Sequence, residues 1–245
     1  MYVADEKYLP YTYTSLVSIL DNSKPEERDE PIRFTIILDE MEFDGILDDD
    51  ITKSTNALFF KFNRDTYKYD IEYIPIPDEE RRRINQFNSY WWPKSIFLKL
   101  FLGNFLPYDK CLYLDGDTIC VNNIKKLWNI DLEGHCFGAC DHNVRYGKLC
   151  YNAGLILMNL EKMRKVGFAS MIEKLVVTGQ KTERNLSLTF GRYVEETALI
   201  EYSLAHKHTN AGVLDLDFGH NVCVSALPMR GSIYNNFADR NLEGL

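Results

Sequence analysis

Asp115 and Asp117 stand on either side of one glycine, directly after the apolar run Cys111-Leu112-Tyr113-Leu114. If the backbone stays extended through them, side chains two apart point the same way and both carboxylates face one point. Gly116 carries no Cβ, so another group can approach the backbone closely there. Two like charges at such a spacing are unfavourable unless a cation lies between them. An all-oxygen site suits a hard divalent ion, Mn²⁺ or else Mg²⁺, which completes its shell with water and phosphate. A diphosphate-bearing substrate follows from that chemistry. The plainer alternative is a turn with two solvated aspartates. For a bare Asp-x-Asp it would win, but the position at the end of an apolar strand argues against it.

Such a pair needs elements to position it. Tyr2-Val3-Ala4 reads as the end of a strand, 32–38 as a strand running into Asp39-Glu40, and 71–76 as a strand stopped by Pro75 and Pro77. Further strands lead into Asp115 and cover 136–140 and 154–158. Helical periodicity lies between them. It covers 11–20, with Leu16, Ile19 and Leu20 on one face, then 54–62, a helix opened by Pro93 and running to about Phe105, 160–177 and 195–205. The alternation predicts an α/β fold, a mainly parallel sheet flanked by helices. Ligands of such sheets sit outside the carboxyl ends of the strands. Asp5, Asp39 and Asp115 all fall just past such ends, and Asp5 and Asp115 have neighbours that support a site.

The chain has 245 residues, 45% of them hydrophobic, which supplies one sizeable core without demanding two domains. The expectation is a single domain over 1–245. Met1 falls almost inside the first strand, which points to a fragment of a longer product, truncated at one or both ends. The formal net charge of −8 argues against a nucleic-acid surface. The run Arg81-Arg82-Arg83 follows Asp78, Glu79 and Glu80 and reads as a solvated loop or helix start. Asp48-Asp49-Asp50 reads as a solvated loop. No run approaches membrane-spanning length and no signal peptide is recognisable, so the expected setting is the cytoplasm, or its membrane periphery, with no integral membrane segment. Free thiols are then expected for the six cysteines. The spacing of His135, Cys136, Cys140, His142 and Cys150 matches no common zinc pattern.

With these residues in hand, the chain resembles the family 8 glycosyltransferases, which include bacterial lipopolysaccharide galactosyl- and glucosyltransferases and glycogenin. Four blocks in order carry the resemblance. They are Val3-Ala4-Asp5-Glu6-Lys7-Tyr8; Phe97-Leu98-Lys99-Leu100 leading into Leu112-Tyr113-Leu114-Asp115-Gly116-Asp117-Thr118; Tyr151-Asn152-Ala153-Gly154-Leu155-Ile156-Leu157-Met158-Asn159-Leu160; and Glu195-Glu196-Thr197-Ala198-Leu199. The resemblance implies one GT-A domain, a UDP-sugar donor, Mn²⁺, retention at the anomeric carbon, and a glycan or other hydroxyl acceptor, as in lipopolysaccharide or glycan biosynthesis.

It also implies roles. Asp115 and Asp117 would hold the metal on the donor's diphosphate, where it stabilises the charge of departing UDP. Ala4 and Asp5 fall where the family contacts uridine. Tyr8 offers a ring for the base, although Asp5 also suits the turn before the first helix. Lys99, in so apolar a segment, needs an anionic partner or a route to solvent. Many relatives carry arginine there, and the glycogenin branch carries lysine. Asp141 and Asn152 match residues near the donor sugar; Asn152 also reads as a turn residue before a buried strand. Glu195 and Glu196 stand where the family has an Asp-Gln pair beside the reacting carbon. As first-turn glutamates they would equally satisfy a helix dipole.

One departure is marked. The family's third metal ligand is a histidine near the C-terminus, in a His-x-x-Gly-x-x-Lys-Pro-Trp-like segment, and nothing after Asn221 matches it; His206, His208 and His220 come earlier. A catalytically silent nucleotide-sugar-binding module is therefore the alternative reading. A sugar-phosphate nucleotidyltransferase would carry a glycine-rich first loop, whereas residues 5–10 contain no glycine.

Overall fold

The computed structural model describes residues 1–5, 7–27, 30–39, 61–141, 151–182, 194–207, 209 and 211–216, the side chains of Glu27 and Asp141 excepted. The chain divides into two compact units. One is Met1–Pro107 with Cys111–Ile130; the other is Tyr108–Lys110 with Asp131–Leu245.

In the first unit, β1 (Tyr2–Ala4), β2 (Ile32–Leu38) and β3 (Tyr69–Pro75) form a parallel sheet in the order β1-β2-β3. Ala4 pairs with Leu38 and Leu38 with Pro75, so the three carboxyl ends are level. The sequence dictates much of this, because the last five residues of β2 are buried, as a covered parallel strand requires. β4 (Lys110–Leu114) is laid beside the start of β1. The nitrogen of Met1 donates to the Leu112 carbonyl at 3.1 Å and the Leu114 N–H to the Met1 carbonyl at 3.0 Å.

Helices among the described residues of this unit include α1 (Leu9–Asn22), α2 (Arg64–Tyr67), α3 (Asp78–Asn85), α4 (Leu102–Phe105) and α5 (Lys125–Trp128). α1 buries Leu16, Ile19 and Leu20, as the periodicity requires. The expected loop or helix start at 78–83 is a formed helix. Its acidic first turn and basic last turn both suit the helix dipole, and Arg83 bonds Glu79 and Glu80. The expected helix from Pro93 is a 3₁₀ helix over Lys94–Phe101 followed by α4. Phe97 to Phe101 are all buried, so tertiary packing surrounds this segment. Most of 54–62, read as a helix, and all of 48–50 lie outside the described residues.

In the second unit, β5 (Phe137–Asp141) pairs antiparallel with β6 (Tyr151–Asn159) and parallel with β7 (Val213–Leu216). The α/β fold is mainly parallel, as expected, with β5–β6 as an antiparallel pair within it, and β7 had no signal in the sequence. The helix expected over 160–177 is two helices, α6 (Leu160–Val166) and α7 (Phe168–Thr182). Gly167 between them is left-handed at φ +68°, and its N–H closes the end of α6 on the Arg164 carbonyl at 3.2 Å. α8 (Glu195–Ala205) has the expected bounds. Phe168 meets Phe137 and Tyr202 edge-on at 6.1 and 4.7 Å, and these rings centre the core of this unit.

Cys111, Cys120, Cys136 and Cys140 are free thiols. Among the described residues, no helix is long and apolar enough to cross a membrane.

Candidate active site

The first unit gathers acidic side chains at the carboxyl ends of its strands. β4 stops at Leu114, and Asp115 to Thr118 form a turn in which the Thr118 N–H and hydroxyl both return to the Asp115 carbonyl, at 3.2 and 2.8 Å. The two aspartates are therefore not placed by strand alternation, as expected from their spacing; a turn places them. Helix α1 fixes this turn. A Cβ at Gly116 would stand 2.6 Å from Thr12 Oγ1, so the close neighbour that glycine admits is the helix itself. Ser15 and Thr118 share a hydrogen bond of 2.9 Å, and Asn22 donates to the Cys120 carbonyl at 2.9 Å.

Asp115 is held from two sides. Its Oδ1 accepts from the Tyr113 hydroxyl at 2.7 Å and from Lys99 Nζ at 3.0 Å. Lys99 is only 3% exposed, and its ammonium also lies 4.8 Å from the centre of the Tyr113 ring. Of the two fates open to a lysine in so apolar a segment, an anionic partner is what it has. The Tyr113 phenol is pushed well above its ordinary value, chiefly by burial and then by the Asp115 charge, with Lys99 opposing. It therefore stays a proton donor to Asp115 at every physiological pH.

Asp5 lies just past β1. Its Oδ1 accepts the Tyr8 N–H at 2.9 Å, and its carbonyl accepts the N–H groups of Tyr8 and Leu9. The turn-holding role weighed for Asp5 is thus real and uses one carboxylate oxygen. The Tyr8 ring is 46% exposed and tilted against Tyr11 at 5.8 Å. Its phenol is raised by partial burial and by the charges of Asp117, Asp5 and Asp115, in that order. Ala4 is buried and accepts the Asp39 N–H at 2.9 Å. Asp39 in turn pairs with Arg81 at 3.0 Å.

These residues suit a hard cation. Asp115 uses Oδ1 within the protein, and exposed Asp117 makes no side-chain hydrogen bond among the described residues. No three His, Cys, Asp or Glu side chains among the described residues are arranged to hold a metal. Hard divalent ions complete their shell with phosphate and water.

The second unit brings two predicted blocks together. Glu195 and Glu196 open α8, and Glu196 Oε1 accepts the Ala153 N–H at 3.3 Å. Asn152 Oδ1 accepts the Gly154 N–H at 2.9 Å, the turn-type contact weighed for it. Asp141 is opposite Tyr151, so it neighbours Asn152 across the β5–β6 pair, beside a register shift between Ala139 and Asp141. His135 Nδ1 lies 2.7 Å from the Leu132 carbonyl, and the Cys136 thiol is raised by burial. His142, Cys150, His208, His220 and the C-terminal segment lie outside the described residues. His206 stacks on Tyr202 at 4.3 Å.

Three residues of the site escaped the sequence. Tyr113 had a usable signal, since it stands two before Asp115 on a strand. Thr12 had none. Arg81 was hidden in a basic run, although its helical neighbours Arg82 and Arg83 make different contacts.

The profile of Glycosyl transferase family 8 matches residues 1–191. The glycosyltransferase GlyA of Streptococcus pneumoniae serotype 4 is 27% identical over 192 residues, covering 76% of this chain and 24% of GlyA. A putative glycosyltransferase of Haemophilus influenzae is 23% identical over 179 residues, 67% of this chain and 49% of that protein. The probable galacturonosyltransferase-like 4 of Arabidopsis thaliana is 25% identical over 207 residues, 74% of this chain and 54% of that protein. The chain thus spans between a quarter and about half of these relatives' lengths. Among solved structures, the galactosyltransferase LgtC with donor and acceptor sugar analogues superposes with a TM-score of 0.63 at 20% identity, over 89% of this chain and 73% of that one. The glycosyltransferase GlyE of Streptococcus pneumoniae TIGR4 gives 0.64 at 18% identity, over 100% of this chain and 51% of that one. Both likenesses concern the GT-A fold.

Proposed function

This chain belongs to glycosyl transferase family 8, and from that premise we propose that it is a metal-dependent, retaining hexosyltransferase using a UDP-sugar. The observation that carries the reading is the Asp115–Asp117 turn at the mouth of β4, with Asp5 and the Tyr8 ring beside it. Asp115 and Asp117 would hold Mn²⁺ or Mg²⁺, which supplies Lewis-acid stabilisation of the charge on the departing diphosphate.

The chain's own residues do the rest. Lys99 and Tyr113 fix one oxygen of Asp115, leaving the other for the ion. In this reading Lys99 is a positioning residue as well as a cation near the phosphates. Asp5 keeps a second oxygen for the uracil N–H, and Tyr8 presents its ring to the base. In the second unit, Asp141 and Asn152 bind donor hydroxyls. The family resemblance would give Glu195 and Glu196 a role at the reacting carbon, where a carboxylate stabilises developing oxocarbenium charge. The acceptor is a hydroxyl, as on a glycan.

Asp117→Asn should abolish Mn²⁺-dependent UDP binding in calorimetry; unchanged affinity would remove the metal site. The second reading, a silent nucleotide-sugar-binding module, is favoured by one specific contact. Glu196 is engaged by the Ala153 N–H, a structural use of the group. UDP-sugar hydrolysis with Mn²⁺ separates the two: binding without turnover supports the module.

A further inference from the structure

We infer that Arg81, held by Asp39 at the end of β2, reads the nucleobase of the donor by donating to uracil O4. The inference rests on the UDP reading of the same site. β4, β1 and β2 lie side by side, and each is followed at its carboxyl end by an aspartate: Asp115, Asp5 and Asp39. Neighbouring strands are about 4.8 Å apart and β4 stops two residues short of the end of β1, so the Asp39 position is roughly 12 Å from that of Asp115. A nucleotide whose diphosphate lies at the β4 turn and whose base meets Asp5 therefore points its far edge at β2.

The group waiting at β2 is a guanidinium. Arg81 leaves the first half of α3, and its Nη1 reaches the Asp39 carboxylate at 3.0 Å. Both side chains are largely covered, at 22% and 15% exposure. Asp39 is fixed in turn, because its N–H donates to the Ala4 carbonyl at 2.9 Å. Arg81 thus uses one of five N–H donors, and its side chain makes no other hydrogen bond among the described residues. The pair is also the place where the acidic rim acquires a positive group away from the buried Lys99.

The chemistry selects uracil. Its outward edge presents an N–H donor beside the O4 acceptor, and O4 is the carbonyl farther from the ribose. Asp5 as acceptor on β1 and Arg81 as donor on β2 complement that order. Cytosine reverses both signs, offering an acceptor to Asp5 and an amino group to Arg81. The site then discriminates by unpaired and opposed groups as well as by attraction.

The test is calorimetry of UDP and CDP with Mn²⁺, on the full chain and on Arg81→Gln and Arg81→Lys, with melting curves to establish folding. The unaltered chain should prefer UDP. Arg81→Gln should bind UDP about tenfold more weakly and CDP about as before, narrowing the preference. Arg81→Lys, which keeps a charge and a single donor, should fall between. Equal weakening towards UDP and CDP, or none in either folded variant, overturns the inference while leaving the donor reading intact. Failure of the unaltered chain to bind UDP removes both.

Discussion

Lys99 and Asp115 make a pair whose two halves are unequally buried, and that inequality predicts unequal costs. The Lys99 side chain is 3% exposed and Asp115 38% exposed, at 3.0 Å. Removing Lys99 as Lys99→Met leaves a carboxylate that still accepts from Tyr113 at 2.7 Å and still meets water. The loss includes the charge-assisted hydrogen bond to Asp115 and the contact with the Tyr113 ring, offset by relief of a desolvated ammonium, so about 1 kcal/mol. Asp115→Asn does the opposite. It keeps a side-chain oxygen but removes the negative charge that faces the buried Lys99 ammonium, at about 3 kcal/mol. The double variant carries no buried ammonium and should be more stable than Asp115→Asn alone. Urea unfolding without added divalent ion measures this. The expected order of midpoints is unaltered, Lys99→Met, the double variant, Asp115→Asn, at constant slope. If Asp115→Asn costs no more than Lys99→Met, burial does not decide the energetics of this pair and the reasoning is wrong.

Other outcomes follow from single contacts. Gly116→Ala forces a Cβ to 2.6 Å from Thr12 Oγ1; it should cost about 1–3 kcal/mol, and adding Thr12→Ala should restore most of the loss in a thermal melt. Gly167→Ala meets no neighbour within 4 Å, but it places an L residue at φ +68°, so thermal unfolding should report about 1 kcal/mol of backbone strain and nothing more. Tyr113 has a pKa raised above 10.0 in the folded chain. Its contribution is therefore fully present below pH 10 and is lost as pH rises beyond it. Stability measured from pH 9 to 11 should fall less steeply in Tyr113→Phe than in the unaltered chain, and identical slopes would contradict the assignment.

Much of the fold was legible because hydrophobic pattern reports burial directly. The bounds of β2 and α8, and a core face at Leu16, Ile19 and Leu20, needed no tertiary knowledge. The break at Gly167 was less visible, since glycine marks a left-handed cap only once the chain beyond it turns away. The 3₁₀ winding of 94–101 and the antiparallel β5–β6 pair were hidden for a different reason: both are set by what packs around them.

The candidate site divides along the same line. Residue types and spacing alone named the acidic pair, the strand ends that carry Asp5 and Asp39, and the lysine that had to find an anion. Geometry decided how they are held. A turn pinned by Thr12, and not strand alternation, places Asp115 and Asp117; Asp115 is the anion Lys99 found; and Arg81 alone of three consecutive arginines reaches Asp39. The physical reason is that chemistry at a strand end depends on local composition, which the chain writes out in order. Partners drawn from distant segments are chosen by packing, which no short stretch of sequence contains.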